Sequence, residues 1–167
     1  RMQRGEWEIE GTDDRYGLVV GIHKIGERRM IGHGGGFPGH ITRTLFDPVD
    51  GLTVVALTNA IDGPAREFAV GIVKLVDSAL DAAKAPGDEE AAADHASYAG
   101  HFAALWGLTD VVDLGGRLWL VTPNQPDPTS AMEKLEVVDA DTLRIAEAPG
   151  YSSPGETVRY TRSDGRV

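Results

Sequence analysis

Gly32-His33-Gly34-Gly35-Gly36-Phe37-Pro38-Gly39-His40 holds five glycines, a proline and two of the chain's five histidines in nine residues. Segments with the composition of β-strands flank it, Arg28 to Ile31 on one side and Ile41 to Phe46 on the other. Glycine lacks a Cβ and opens φ > 0, so such a run lets backbone approach another group and aim its N–H groups there. A loop this costly in chain entropy, beside an imidazole, reads as a candidate site.

Working outward, four strand-like runs precede residue 60: Tyr16 to Ile22, Arg28 to His33, His40 to Phe46 and Leu52 to Thr58. Gly26-Glu27 and Asp50-Gly51 sit between neighbours as hairpin turns, which predicts antiparallel pairing. Asp62-Gly63-Pro64 supplies a cap and a first-turn proline. Phe68, Ile72, Leu75, Val76, Ala79 and Leu80 then recur at helical spacing, so a helix is expected over Ala65–Lys84, lying on one face of the sheet. Composition changes sharply at Ala85-Pro86-Gly87-Asp88-Glu89-Glu90, and residues 85–96 read as a linker. Beyond it come six short alternating runs separated by turn residues, with Gly115-Gly116 and Asp139-Ala140-Asp141 at two of the turns. That pattern suggests a small barrel or sandwich with Tyr98, Phe102, Trp106, Trp119 and Tyr160 in its core. The expected class is α+β: an antiparallel sheet with a C-terminal helix over 1–84, then a small all-β domain over 97–167.

Composition narrows the function. Of 167 residues, 41% are hydrophobic and 25% charged, values typical of a globular chain. The net charge of -10 is uneven: residues 1–84 hold 12 acidic and 10 basic side chains, residues 85–167 hold 14 and 6. An acidic surface repels phosphate backbones, which argues against nucleic acid and anionic lipid as partners. No apolar run approaches the roughly 18 residues of a membrane span. With no cysteine there is no disulfide framework, thiolate metal site or cysteine nucleophile, and the compartment stays open.

Several chemistries compete for the glycine run. A phosphate-binding loop needs Gly-Lys-Ser/Thr opening a helix, whereas this run leads into a strand. A metal site on His33, His40 and His23 lacks recognisable spacing and a carboxylate partner, so no metal or other cofactor is expected. His33-Gly34-Gly35-Gly36 matches the oxyanion string of α/β-hydrolase esterases, but that fold also needs Gly-x-Ser-x-Gly, and Gly150-Tyr151-Ser152-Ser153-Pro154 ends in proline.

Residues 16 to 80 resemble the end of the transpeptidase-type domain of the serine β-lactamase and penicillin-binding-protein family, in its class C-like branch. The matching pieces come in order: Tyr16-Gly17-Leu18, the His33-Gly34-Gly35 triplet with Pro38-Gly39 after it, Phe46-Asp47-Pro48, Val54-Val55-Ala56-Leu57-Thr58-Asn59, and a helix. Tyr98-x-Gly100 and Gly115-Gly116-Arg117-Leu118 resemble the small β-domain that some members append. The resemblance implies a role for each matching position. His33 stands where the family has a strand lysine, beside the nucleophile and the substrate carboxylate. Gly35 lacks a side chain because the acyl group lies along the strand, and Gly36 offers a backbone N–H to the oxyanion. A histidine triplet favours an ester or peptide over a β-lactam as substrate. The plainer reading is that His33 is a polar residue at a strand end and the glycines only serve turns.

The family's other motifs are absent. Three residues after Ser78, Ser97, Ser130, Ser152, Ser153 and Ser163 stand Asp81, Gly100, Glu133, Gly155, Glu156 and Arg166, so Ser-x-x-Lys fails throughout. Tyr-x-Asn fails at all four tyrosines. A serine without an adjacent base is a poor nucleophile. The expectation is therefore the C-terminal fragment of a longer serine hydrolase, inactive alone, whose substrate in the full-length protein is a small molecule or peptide. The alternative is a non-catalytic binding module whose C-terminal β-domain takes a ligand or partner. Self-association is also expected, through a bare sheet face carrying Val19, Ile41, Leu45, Val54 and Ala56, unless Arg1 to Gly11 folds over it.

Overall fold

A computed structural model describes residues 2–84, 95–105, 107–125, 127–149 and 152–162. Most of the expected linker and Trp106 lie outside the described residues. The chain divides into two compact units, Arg1–Lys74 and Leu75–Val167.

The first unit is a six-stranded antiparallel sheet in sequence order. Its strands are β1 (Trp7–Glu8), β2 (Arg15–Tyr16), β3 (Gly21–Ile25), β4 (Arg28–Phe37), β5 (His40–Phe46) and β6 (Thr53–Thr58). The run expected as one strand over Tyr16 to Ile22 is broken into β2 and β3. Between them the Gly17 N–H donates to the Val20 carbonyl at 2.8 Å, closing a turn. Val19 there takes φ 66°, a strained conformation for a β-branched residue. A Cβ on Gly17 would sit 2.3 Å from the Met2 carbonyl oxygen, so glycine is needed for close packing of the N-terminal segment.

The α-helix α1 (Ala65–Lys84) forms where expected, but it buries a different stripe. Ala65, Ala69 and Val73 are essentially inaccessible, and the last two pack with Ile25, Met30, Leu45 and Val54 in the core of the first unit. Phe68, Ile72 and Leu80 remain more than 40% exposed. Small side chains let the helix axis approach the sheet closely, which the bulkier stripe would prevent. Consequently Leu45 and Val54, expected on a bare face, lie buried, whereas Val19, expected with them, is exposed, and Phe37, Phe46, Val55 and Leu57 are among the other exposed apolar residues. At the β5–β6 turn the buried Asp47 carboxylate accepts from Arg28 Nη1 at 2.7 Å and from the Val49 N–H at 2.8 Å, tying that turn to the start of β4.

The second unit holds β7 (Gly100–Ala104), β8 (Gly107–Asp113), β9 (Leu118–Val121), β10 (Glu133–Asp139), β11 (Thr142–Glu147) and β12 (Thr157–Arg159). They form one antiparallel meander with β7 and β12 outermost. Leu118 and Leu143 are fully buried in its core with Tyr98, Val111, Leu135, Ile145 and Tyr160. Tyr98 stands just before β7 and Tyr160 just after β12, yet their rings meet edge-on at 5.7 Å and the Tyr160 hydroxyl donates to the Tyr98 carbonyl at 2.9 Å. The sheet thus curls until side chains flanking its outer strands touch, although among the described residues no ladder joins β7 to β12. Arg162 lies over both rings at 5.6 and 5.5 Å and donates to Asp141 at 2.8 Å, fastening the seam.

The α+β expectation is overturned. The described residues form two six-stranded antiparallel sheets and a single α-helix, so the molecule is mostly β, and it shows a half-barrel sheet instead of an α+β domain ending in a helix. Among the described residues the second unit is one curled sheet, neither a closed barrel nor a two-sheet sandwich. One amphipathic helix drew undue weight in the sequence, while two-residue strands such as β1 and β2 leave no periodic signal.

Burial raises the Tyr160 phenol above its ordinary value, partly opposed by the Arg162 charge. A group whose folded value is raised adds stability that is full below the unfolded value, about 10, and is lost as pH climbs through the folded one. Tyr160→Phe should cost about 1 kcal/mol at neutral pH through its lost hydrogen bond. Urea melts should show that gap narrowing above about pH 10. A constant or widening gap would contradict the assignment.

Candidate functional site

The glycine run is strand, not loop. β4 continues through Gly34, Gly35 and Gly36 to Phe37, and only Pro38-Gly39 turns, with Gly39 at φ 83°. Pairing with β3 ends at Gly21↔Gly32, whereas pairing with β5 runs on from Ile31↔Phe46 to Phe37↔His40. From His33 to Phe37, β4 therefore has a strand on one side only, among the described residues. This makes an arm of single-sided strand inside a sheet.

The parity of the ladder says which backbone groups face the open side. The Asp47 N–H donates to the Leu52 carbonyl at 2.8 Å, which makes Leu45↔Val54, Arg43↔Ala56 and Ile41↔Thr58 the hydrogen-bonded pairs of β5 and β6. The even-numbered residues of β5 then bond to β4, through His33, Gly35 and Phe37. The N–H and C=O groups of Gly34 and Gly36 point away from β5, into the open side. Gly35 directs its carbonyl toward β5, where it accepts from Thr42 Oγ1 at 3.4 Å.

The structure places the three expected site residues, His33, Gly35 and Gly36, on this arm, all exposed. The His33 ring is held at both nitrogens. Nδ1 donates to the Gly34 carbonyl, and Nε2 then accepts from the Tyr16 hydroxyl at 2.9 Å. Tyr16 and His33 rings also meet edge-on at 6.2 Å. His40 is exposed at the far end of the hairpin, away from this contact network.

A Cβ on Gly34 would meet nothing closer than 3.6 Å, and one on Gly36 only Ile41 Cδ1 at 3.6 Å. Neither has a positive φ. Among the described residues nothing gives a steric or conformational reason for glycine at these two positions, in a strand where glycine is disfavoured. Gly32 and Gly35 differ. A Cβ at Gly32 would lie 1.8 Å from the Thr44 carbonyl oxygen, and one at Gly35 2.7 Å from Thr42 Oγ1.

Beneath the arm lies a network the sequence did not reveal. Arg43, opposite Gly34 on β5, donates from Nη2 to His23 Nε2 at 2.5 Å, and His23 Nδ1 donates to Asp14 at 2.7 Å. Arg66, on α1, adds an ion pair to Asp14 at 3.8 Å. Burial, then the neighbouring Arg66 charge, lowers Arg43 below the usual arginine value, and Asp14 opposes the shift. These residues lie far apart in sequence and show no motif; only the registers of β3, β4 and β5 bring them together. Among the described residues no three metal-capable side chains cluster, and no helix is long and apolar enough to cross a membrane.

In the second unit an open groove runs along β7 and β8, lined by Ala96, Ala99, Gly100, His101, Asp110, Val111, Val112 and Asp113. Its polar features are the cross-strand pair of His101 with Asp110 and the carboxylate of Asp113, which is paired at 2.9 Å with His95 on the short 3-10 turn before β7.

No protein-family profile matches the chain, and no curated protein matches it. Among solved structures it is similar to an octameric penicillin-binding protein homologue from Pyrococcus abyssi, with TM-score 0.41 and 18% identity over 99% of this chain and 35% of that one. It is also similar to SurE (TM-score 0.38, 22% identity, 96% of this chain and 36% of that one). For SurE with D-Leu the values are TM-score 0.33 and 21% identity, over 96% of this chain and 36% of that one. The chain spans little more than a third of these structures, and likeness at this level is weak.

The packing around each glycine makes a graded prediction. Gly34→Ala and Gly36→Ala should leave stability unchanged or raise it by up to about 1 kcal/mol, by restricting the unfolded chain. Gly32→Ala should cost about 1–3 kcal/mol, because backbone must move. Urea denaturation of the three variants checks the order; equal losses at all three would show that the arm's glycines serve internal packing.

Proposed function

We propose that this chain is the C-terminal part of a serine hydrolase of the β-lactamase and penicillin-binding-protein family, with the glycine arm of β4 as one wall of an acyl-transfer site. The observation that carries this reading is the pair Gly34 and Gly36: exposed, extended, unconstrained by any described residue, with backbone N–H groups turned to the open side. An absent side chain there is useful only to something that comes from outside. The ordered motifs around Tyr16, His33 and Phe46-Asp47-Pro48 favour an acyl group as that visitor.

On this reading a substrate carbonyl lies beside the arm, and the Gly36 N–H donates to the oxyanion formed when a nucleophile adds to the carbonyl carbon. A fixed donor of this kind needs no reorganisation as charge develops. His33, held by Tyr16 and the Gly34 carbonyl, presents a polar ring in place of the family's strand lysine. That substitution favours an ester or peptide substrate. The serine and its lysine come from elsewhere in the whole protein, since no serine of this chain has a lysine three residues on.

Two measurements test the proposal. The isolated chain should neither release p-nitrophenol from an activated ester nor take up a fluorophosphonate or penicillin probe. Stoichiometric labelling of any one serine would refute it. In the whole protein, Gly36→Pro deletes the N–H while leaving the β5 ladder intact, and should lower kcat about 10²–10³-fold. Unchanged turnover in a folded Gly36→Pro protein would remove Gly36 from the oxyanion site.

A further inference from the structure

We propose that His23 is a proton switch beneath the glycine arm: when its ring takes up a proton, Arg43 is released from His23 under Gly34. The switch needs no catalytic site, because every group in it belongs to β3, β4, β5, α1 or the segment before β2.

Strand alternation puts these groups on one face of the sheet. Ile25, Met30 and Leu45 pack with Ala69 and Val73 of α1. Side chains two or four positions apart along a strand share a face. His23 stands two residues before Ile25, Gly34 four after Met30 and Arg43 two before Leu45, so all three look toward the helix side. The registers agree, with His23 opposite Met30 and Gly34 opposite Arg43. A Cβ on Gly21 would lie 2.4 Å from His23 Nε2, so glycine there makes room for the ring against its own strand.

The partners of the ring fix its protonation. A carboxylate only accepts, so Nδ1 carries the hydrogen that bonds Asp14 at 2.7 Å. A guanidinium only donates, so Nε2 offers a lone pair to Arg43 Nη2 at 2.5 Å. The ring is neutral in this arrangement. A proton on Nε2 turns that acceptor into a donor and sets a second positive charge against the guanidinium. Among the described residues the charged groups facing the ring are Asp14, Arg43 and, through its 3.8 Å pair with Asp14, Arg66. Asp14 keeps its bond to Nδ1 in either state and favours the charged ring. Arg66 adds positive charge and no acceptor. The contact that yields is therefore the one between Nε2 and Arg43.

That contact also holds the guanidinium in place. Arg43 Nε is buried with no partner among the described residues, which leaves the His23 bond as its anchor. A Cβ on Gly34 would lie 3.7 Å from Arg43 Nη1, so the freed group sits directly under the backbone of the arm.

An NMR titration of the chain from about pH 8 to about pH 5, where histidines ordinarily change charge, reads the switch. At pH ~8 the ring nitrogens of His23 should show the Nδ1–H tautomer. The Arg43 Nε–H and Gly34 amide signals should then shift together, with the midpoint of the His23 ring. His33 also touches Gly34, through the Gly34 carbonyl, so two variants separate the rings. His23→Gln keeps an acceptor but takes up no proton in this range, and should flatten the Arg43 curve. His33→Asn should leave that curve in place. An Nε2–H tautomer, a His23 ring that stays neutral throughout, an Arg43 signal that ignores the His23 midpoint, or an Arg43 curve abolished by His33→Asn would overturn the proposal.

Discussion

The register of β4 is the constraint on which the candidate site depends. β3 is short and stops pairing at Gly32, while β5 keeps pairing to Phe37. That difference leaves five residues of β4 with one neighbour, and the alternation of the ladder decides which of their N–H groups look outward. Three turns pin the register: Gly26-Glu27 between β3 and β4, Pro38-Gly39 between β4 and β5, and the Asp47–Leu52 closure between β5 and β6. A slip of one residue would send Gly35 outward and hide Gly34 and Gly36 against β5. The buried Asp47 carboxylate works against such a slip, because its bonds to Arg28 and the Val49 N–H join the start of β4 to the end of β5.

Much of this was legible in residue order. The hairpin turns, the helix over Ala65–Lys84 and the strand alternation in the second half all have local signals, because Gly, Pro and Asp act within a few residues. The fold class was not, since it depends on how much sheet surrounds the one helix. The break at Gly17 to Val20 leaves no local signal, because Leu18, Val19 and Val20 have strand composition and nothing in the sequence announces a valine at positive φ. The buried helix stripe is hidden for a related reason. Alanine carries little hydrophobic signal, so Ala65 and Ala69 were outweighed by the larger Phe68 and Ile72.

At the site, His33, Gly35 and Gly36 could be singled out from composition and motif order, but their surroundings could not. Tyr16 reaches His33 from 17 positions away, and Arg43 reaches His23 from 20. Both contacts exist only once the strands are registered. The glycine run also has two parts that the sequence cannot separate: Gly39 serves the turn, while Gly34 and Gly36 leave space that no described residue fills.

The arm of β4 alternates, with the Gly34 and Gly36 N–H groups open and those of His33 and Gly35 bonded to β5. Residue-resolved amide hydrogen exchange on the chain tests it most directly. Rapid exchange is expected at Gly34 and Gly36, with clear protection at His33 and Gly35 between and beside them. Uniform protection along the arm, or protection at Gly36 equal to that at Gly35, would contradict it.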